Sequence, residues 1–326
     1  MSLGSRVDYY QRIFSAYLFP GRSHLSFWHD TPQLDPCASS HELGPYYMLF
    51  CEKANYTGPF DSSGIPLLDY RGKIGEQYNP IAIAHWGLGN YNLFLNTGAP
   101  RRRENFLRAS HWMLEHLEQN AWGVPVWHHN FDWEYRTRLK APWYSALAQG
   151  QGISLLLRAH REKASSKFLD AACGAFRAFT APIEEGGVAF SDDDGCVWFE
   201  EYIVRPPTHI LNGFIWALWG IYDYWLATSD ASARNLFAHG VRTLLKNLPR
   251  YDLGFWSLYE QSGTRLKMVA SPFYHRLHIV QLRVMHRLTG EPQFEQHADK
   301  WENYACSHLR RAKALFYKSA FKFCYY

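Results

Sequence analysis

The sequence predicts a mainly α-helical fold: an α/α toroid of about four helical hairpins, with β-hairpins on one rim and a small β-rich or irregular segment ahead of it. Three observations predict it. Apolar residues recur with helical period in eight stretches, near 79–96, 101–119, 142–161, 165–180, 210–227, 231–247, 275–288 and 291–309. These fall into pairs that begin near 79, 142, 210 and 275, in steps of 63, 68 and 65 residues, an internal repeat. Between pairs lie strand-like stretches with turn signals, always at the same point of the repeat.

Each helix has its punctuation. Pairs are closed by short loops such as TGAP (97–100) and TGEP (289–292), where glycine ends one helix and proline opens the next. The stretches GVPVWHHNFDWEYRTRL (123–139), GGVAFSDDDGCVWFEEYIV (186–204) and GFWSLYEQSGTRLKMVASPFYH (254–275) are hairpin candidates. Several helices are apolar around much of their circumference, so the repeat must stack, and closure into a toroid is favoured. The connections would then crowd one rim, where a site would be built. Residues 1–65 are rich in Pro, Gly and aromatics and are expected to form the β-rich or irregular N-terminal segment, with 66–326 as the catalytic barrel. The basic, aromatic tail from 310 is expected to be a packed or frayed terminus, with contact to a membrane or polyanion as the alternative.

Composition excludes several classes. The 326 residues suffice for a large core without disulfide or metal staples. No apolar run approaches the ~20 residues of a membrane span, and MSLGSRVDYYQRIF lacks a signal peptide's apolar h-region, so a cytoplasmic location is expected. With 34 Lys and Arg against 30 Asp and Glu, the chain carries no nucleic-acid footprint. Its six cysteines contain no CxxC pair and its 16 histidines no HExxH, so no metal is expected. Asp192, Asp193, Asp194 and Gly195 read as a hairpin turn, not a calcium loop. Gly150 and Gly152 lack the strand and third glycine of a phosphate loop. The unusual feature is aromatic: 13 Trp, 21 Tyr and 21 Phe, many beside polar residues as in WHHNFDWEY and VWFEEY. Such rings suit sugar faces, and they are also ordinary core residues.

The blocks PWYSALAQGQGIS (142–154), WFEEY (198–202), ILNGFIWALWGIYD (210–223), LPRYDLGFWSLYE (248–260) and YHRLHIVQL (274–282) resemble, in order, the C-terminal domain of the heparan-sulfate D-glucuronyl C5-epimerase family. NPIAIAHWGLGNYN (79–92) looks like the entry to that domain, and the match fades before about residue 70. The resemblance implies an α/α barrel and inversion at C5 of a glucuronosyl unit within an anionic heparosan-like polysaccharide, without a cofactor, by a homodimer. It carries catalytic positions onto Glu201, Tyr202, Tyr259 and Tyr274, with Glu201 and Tyr274 as the proton-transfer pair. Substrate-binding positions would be Asn212, Trp216, His275, His278, Gln149 and Tyr78. Family members have an arginine shortly after the second tyrosine, whereas this chain reads YEQSGTR. Arg265 is therefore displaced, with Arg205 and Arg276 as rival uronate clamps.

Two issues stay open on the residues alone. Period two in a regular strand puts Glu201 and Tyr202 on opposite faces, so either the strand ends before them or Glu200 is the working carboxylate. For the two histidines, a carboxylate or sulfate seat at a helix N-terminus competes with a core position. Rival functions are a uronate lyase, which shares C5 proton abstraction, a glycoside hydrolase, and a non-catalytic glucuronan-binding protein.

Overall fold

The computed structural model describes residues 24–135 and 137–325, together with Val7. Four helical hairpins follow one another along the chain. The inner helices are α3 (Pro80–Thr97), α5 (Ala146–Lys163), α7 (Leu211–Thr228) and α9 (Pro272–Thr289). Their outer partners are α4 (Pro100–Glu115), α6 (Ser166–Thr180), α8 (Ala231–Asn247) and α10 (Pro292–Cys306). Neighbouring inner helices pack side by side, α3 on α5, α5 on α7 and α7 on α9, which makes the α/α toroid. The inner helices α3, α5 and α7 are buried around their first dozen residues, α9 keeps Arg276 and Arg283 exposed, and the outer helices α4, α6 and α8 each bury one face.

The tightest inner contact explains the glycines of SALAQGQGIS. A Cβ on Gly220 would lie 2.3 Å from Gly150 Cα, so α5 and α7 approach closely only because both positions lack side chains.

The N-terminal segment bridges the arc between α9 and α3. Arg287 of α9 donates to Asp35 O (2.7 Å) and Ala38 O (3.2 Å), while Asn92 of α3 donates to Asp35 Oδ2 (2.9 Å), Tyr46 O (2.9 Å) and Met48 O (3.0 Å). Tyr46 and Tyr47 then enter the barrel floor at the C-terminal ends of the inner helices. Arg158 and Asp223, both fully buried, pair there at 2.6 Å, with Tyr47 Oη on Asp223 Oδ1 at 2.7 Å and Tyr46 Oη on Gln151 Oε1 at 2.8 Å. A buried ion pair holds only when its remaining valences are satisfied, and Tyr47 with the Gly44 and Ser154 carbonyls supplies partners.

Among the described residues of 24–65 there is no strand. Two short helices, α1 (His24–Trp28) and α2 (Cys51–Ala54), stand in irregular chain, and the core runs through Tyr46, Tyr47, Phe50 and Ile65 into the barrel without a break. The strands are all short: β1 (Leu68–Asp69) with β2 (Glu76–Gln77), β3 (Leu117–Gln119) with β4 (Pro125–Trp127), and β5 (Ala189–Ser191) with β6 (Val197–Phe199). Residues 117–119, expected in a helix, form β3 because α4 ends at Glu115 and the Asn120 side chain turns the chain by accepting from Trp122 N and Val124 N. Asp192 makes the expected turn with Gly195 at φ 73°, its carboxylate taking Asp194 N, Cys196 N and Trp198 Nε1. The stretch 254–275 forms only isolated bridges, since its donors are spread over Tyr251, Thr208, Met268 and Ser257. The tail is a full helix, α11 (His308–Tyr325), which packs its Phe321 into the body. No helix among the described residues is long and apolar enough to cross a membrane.

Candidate active site

The inner helices all begin at the same end of the toroid, and their caps come from the connections above them. Asn79 Oδ1 accepts from Ile81 N and Ala82 N, Ser145 Oγ from Ala148 N, and Ser271 Oγ from Tyr274 N. Backbone carbonyls also reach across: Glu200 O takes Ala146 N and Tyr259 O takes Leu211 N, each at 3.0 Å. The connections are thereby tied to the helix starts, and a cleft of about 280 Å³ opens between them. Its walls carry Asn79, Trp143, Glu201, Tyr202, Asn212, Trp216, Tyr259 and Tyr274.

Glu201 is placed by a break in the sheet. β6 ends at Phe199, and residues 201–202 form a bend. Successive side chains therefore need not alternate, and Glu201 and Tyr202 both reach the cleft. Glu200 turns the other way: its carboxylate accepts from His209 N at 3.2 Å and pairs with His209 Nδ1 at 2.5 Å, off the cleft wall. Asn212 Nδ2 lies 3.3 Å from Glu201 Oε2. Gly213 leaves room for it, since a Cβ there would fall 2.3 Å from Glu201 Oε2.

Burial raises the Glu201 carboxyl to about 8; hydrogen bonds from Tyr202 and Asn212 oppose that rise, and the charge of Glu200 adds to it. The Tyr274 phenol is pushed up by burial and then by the Glu201 carboxylate, while a hydrogen bond with Tyr259 works against them. The Tyr259 and Tyr274 rings meet edge to face at 4.9 Å. A carboxyl close to neutrality and a phenol thus face one cleft, the combination that proton transfer to and from carbon requires.

The other expected site residues divide. Asn212 and Trp216 line the cleft. His275 and His278 do not: both are fully buried in the core against Ser257 Oγ, at 2.7 and 3.0 Å, with His275 stacked on Trp256 at 3.8 Å. Burial lowers the His275 imidazole to about 4, so it is neutral and gives no seat for an anion. Gln149 is a strut, accepting from Trp127 N and donating to Pro125 O and Ala175 O, which fixes β4 to α6. Tyr78 lies on the flank, with Oη 2.7 Å from Asp61 Oδ2 and its ring beside Trp112. Arg265 and Arg276 are exposed off the cleft, and Arg205 pairs with Glu184 at the surface.

Sequence reasoning missed other wall residues. Tyr70, Phe131, Trp133, Glu134, Tyr135 and Lys318 line the same cleft. Tyr70 accepts from Asn79 Nδ2 at 2.7 Å, and the Tyr135 ring lies 4.7 Å from that of Tyr202. The aromatic and polar run WHHNFDWEY was the signal for four of these residues.

A family model described as the D-glucuronyl C5-epimerase C-terminus matches residues 121–303, which contain Glu201, Tyr202, Tyr259 and Tyr274. The chain belongs to this family. It is 31% identical over 233 residues to the D-glucuronyl C5-epimerase of Caenorhabditis elegans, covering 65% of this chain and 37% of that protein. An uncharacterized protein of Methanocaldococcus jannaschii is 29% identical over 217 residues, 62% of this chain and 68% of the archaeal one. The chain thus spans little more than a third of the nematode epimerase. Similar solved structures include the unsaturated glucuronyl hydrolase of Bacillus sp. GL1, at TM-score 0.45 and 12% identity over 72% of this chain and 61% of that one. An unsaturated glucuronyl hydrolase specific for heparin aligns at TM-score 0.49 and 10% identity, over 70% and 62%.

Proposed function

We propose that this family member is a polysaccharide D-glucuronyl C5-epimerase that converts D-glucuronosyl to L-iduronosyl units in a heparosan-like polymer. The observation that carries the reading is the joint presence of Glu201 and Tyr274 on one cleft, beside Tyr202 and Tyr259. The C5 hydrogen of a uronosyl ring lies α to its carboxylate. When that proton leaves for the ionised Glu201 carboxylate, the C5–H electron pair moves into the carboxylate, which becomes the doubly charged enediolate. Return of a proton to C5 from the opposite ring face, given by the Tyr274 phenol, restores the carboxylate with inverted C5. The phenolate left behind regains its proton through Tyr259 and water, and the Glu201 carboxyl gives the proton it took to water, which restores both groups. Atoms and charge balance without a redox step.

Placement at the N-terminal ends of four inner helices favours an anionic ring, because the helix dipoles present partial positive charge there. Trp143 and Trp216 offer flat faces for sugar carbons, and Asn212 offers an amide to a hydroxyl. Glu201 at about 8 is a stronger base than an ordinary glutamate once ionised. The deciding experiment is incubation with heparosan in deuterated water. Deuterium at C5 and iduronate without chain shortening are expected; an unsaturated, ultraviolet-absorbing end would establish the lyase instead. The protein is further expected to act as a homodimer, which light scattering tests.

A further inference from the structure

A uronate carboxylate in the cleft needs cations, and the arginines the sequence nominates lie elsewhere. Among the described residues of the cleft wall, the lysines are Lys53, Lys318 and Lys322, with Glu134 and Glu201 as the carboxylates. Lys53 is buried, lies 3.2 Å from Asp30 Oδ2 and donates to Phe27 O at 2.7 Å. The other two lysines come from α11, beyond the residues that match the family model. They are four residues apart, so they leave the helix on one face.

The helix is held at the cleft by specific packing. Phe321, between the two lysines, is fully buried in an aromatic cluster with Tyr70, Phe131, Tyr135 and Tyr259. Leu266 N donates to Tyr325 Oη at 3.4 Å and Lys267 N to Tyr317 Oη at 3.3 Å, so the 264–269 loop is pinned under α11. Lys318 Nζ donates to Val269 O at 2.9 Å, which orients the ammonium and leaves two of its three N–H groups for other acceptors. Glu260 stands behind them. It follows Tyr259 in sequence, takes the Tyr135 hydroxyl, and feels both lysines.

We propose that Lys318 and Lys322 are the uronate clamp of this chain, two ammonium groups on the C-terminal helix that bind the substrate carboxylate. This deepens the epimerase reading and rests on it. The clamp places positive charge where the enediolate gathers negative charge, so it serves binding first and the transition state further. Lysines also contact the carboxylate as point charges, not as the bidentate fork of arginine, and so tolerate a carboxylate that swings as C5 inverts.

The test compares heparosan with carboxyl-reduced heparosan, in which glucose replaces glucuronate, by calorimetric binding at low salt. The wild-type chain is expected to prefer the uronate polymer by at least tenfold. Lys318→Met and Lys322→Met keep the aliphatic stems and should each erase roughly tenfold of that preference, the scale of a lost charge-assisted hydrogen bond, while Lys322→Arg retains it. A melting curve shows which variants are folded; should Lys318→Met fail to fold, Lys322→Met and Lys318→Arg carry the test. Met variants that keep the preference, or that weaken both polymers equally, overturn the clamp and leave the epimerase reading standing. A wild-type chain that binds both polymers alike overturns the clamp and the uronate reading together, and deuterium exchange at C5 then reports on the chemistry separately.

Discussion

The Glu201 carboxyl is the most directly measurable consequence of the cleft. Burial raises it from 4.5 to about 8. Between those values the folded protein keeps a proton that the unfolded chain has released, so unfolding releases a proton and stability falls as pH rises. The loss begins near pH 4.5 and is complete once pH passes about 8. At about 1.4 kcal/mol per unit the span amounts to on the order of 5 kcal/mol, or roughly 7 °C in melting temperature for a chain of this size. Glu201→Gln keeps the shape and an acceptor for Asn212 but cannot ionise. Its stability relative to wild type should therefore climb between pH 5 and pH 9 by about that amount, while the two proteins differ little at pH 5. Urea unfolding of both proteins at each pH isolates the effect, because every other titrating group, including Glu260 with its carboxyl raised to about 7 by burial, is common to both and cancels. Parallel stability curves from pH 5 to 9 would show that Glu201 is solvated and ionised in the folded state and refute the argument from burial. The same group sets the kinetics: below pH 8, kcat/KM should fall about tenfold per unit as the base is protonated, and Glu201→Gln should lose at least roughly 10²-fold in epimerisation.

Four further outcomes are expected. Tyr274→Phe should reduce inversion by at least roughly 10²-fold with little change in melting temperature, while exchange of C5 hydrogen from one epimer survives better than inversion; mass spectrometry of products made in deuterated water separates the two. Glu200→Gln should destabilise the fold by breaking the His209 pair yet retain most turnover per folded molecule, measured by activity normalised to the folded fraction; collapse of inversion here with near wild-type Glu201→Gln would move the catalytic carboxylate by one residue. Gly213→Ala should push the Glu201 carboxylate off its position and cost about tenfold or more in kcat, with KM less affected. His275→Ala should cost about 2–4 kcal/mol of stability, seen in urea unfolding, because it removes a stacked ring bonded to Ser257 and the Trp301 carbonyl, and should leave the KM of the folded protein unchanged.

The helical part of the fold was legible because period and punctuation agree. The TGAP and TGEP loops mark real ends, at Gly98 and Gly290 with φ of 67° and 74°. Hairpins were less legible where side chains, not backbone pattern, decide the outcome. Helix α4 ends at Glu115, four residues earlier than apolar periodicity suggests, with Asn120 turning the chain after β3, and the 254–275 stretch sends its donors to four different partners. Of the site, what a motif carries locally was readable: Glu201, Tyr202, Tyr259, Tyr274, Asn212 and Trp216 all reach the cleft. The histidines of YHRLH were ambiguous because a residue on the first turn of an inner helix can face the cleft or the neighbouring outer helix. Only the position of Trp256 and Trp301 settles which.

The two halves of the cleft are built at different ranges in sequence, and that difference explains which half was readable. Glu201 is held by a bend at its own position and by Asn212 and Gly213 a dozen residues on, so strand end, bend and helix start travel together as one local unit. The lysines arrive from a helix that starts at His308, more than a hundred residues later, and they are brought in by Phe321 and by contacts with the 264–269 loop. Local units keep their geometry when loops change length, because few backbone angles separate their parts. A cation supplied across the fold is constrained only in its charge and reach, so any helix that passes the cleft with a basic face can supply it. The 264–269 loop and α11 are therefore one unit: Leu266 N and Lys267 N donate to Tyr325 and Tyr317, Lys318 donates back to Val269 O, and the loop is the surface on which the helix lies.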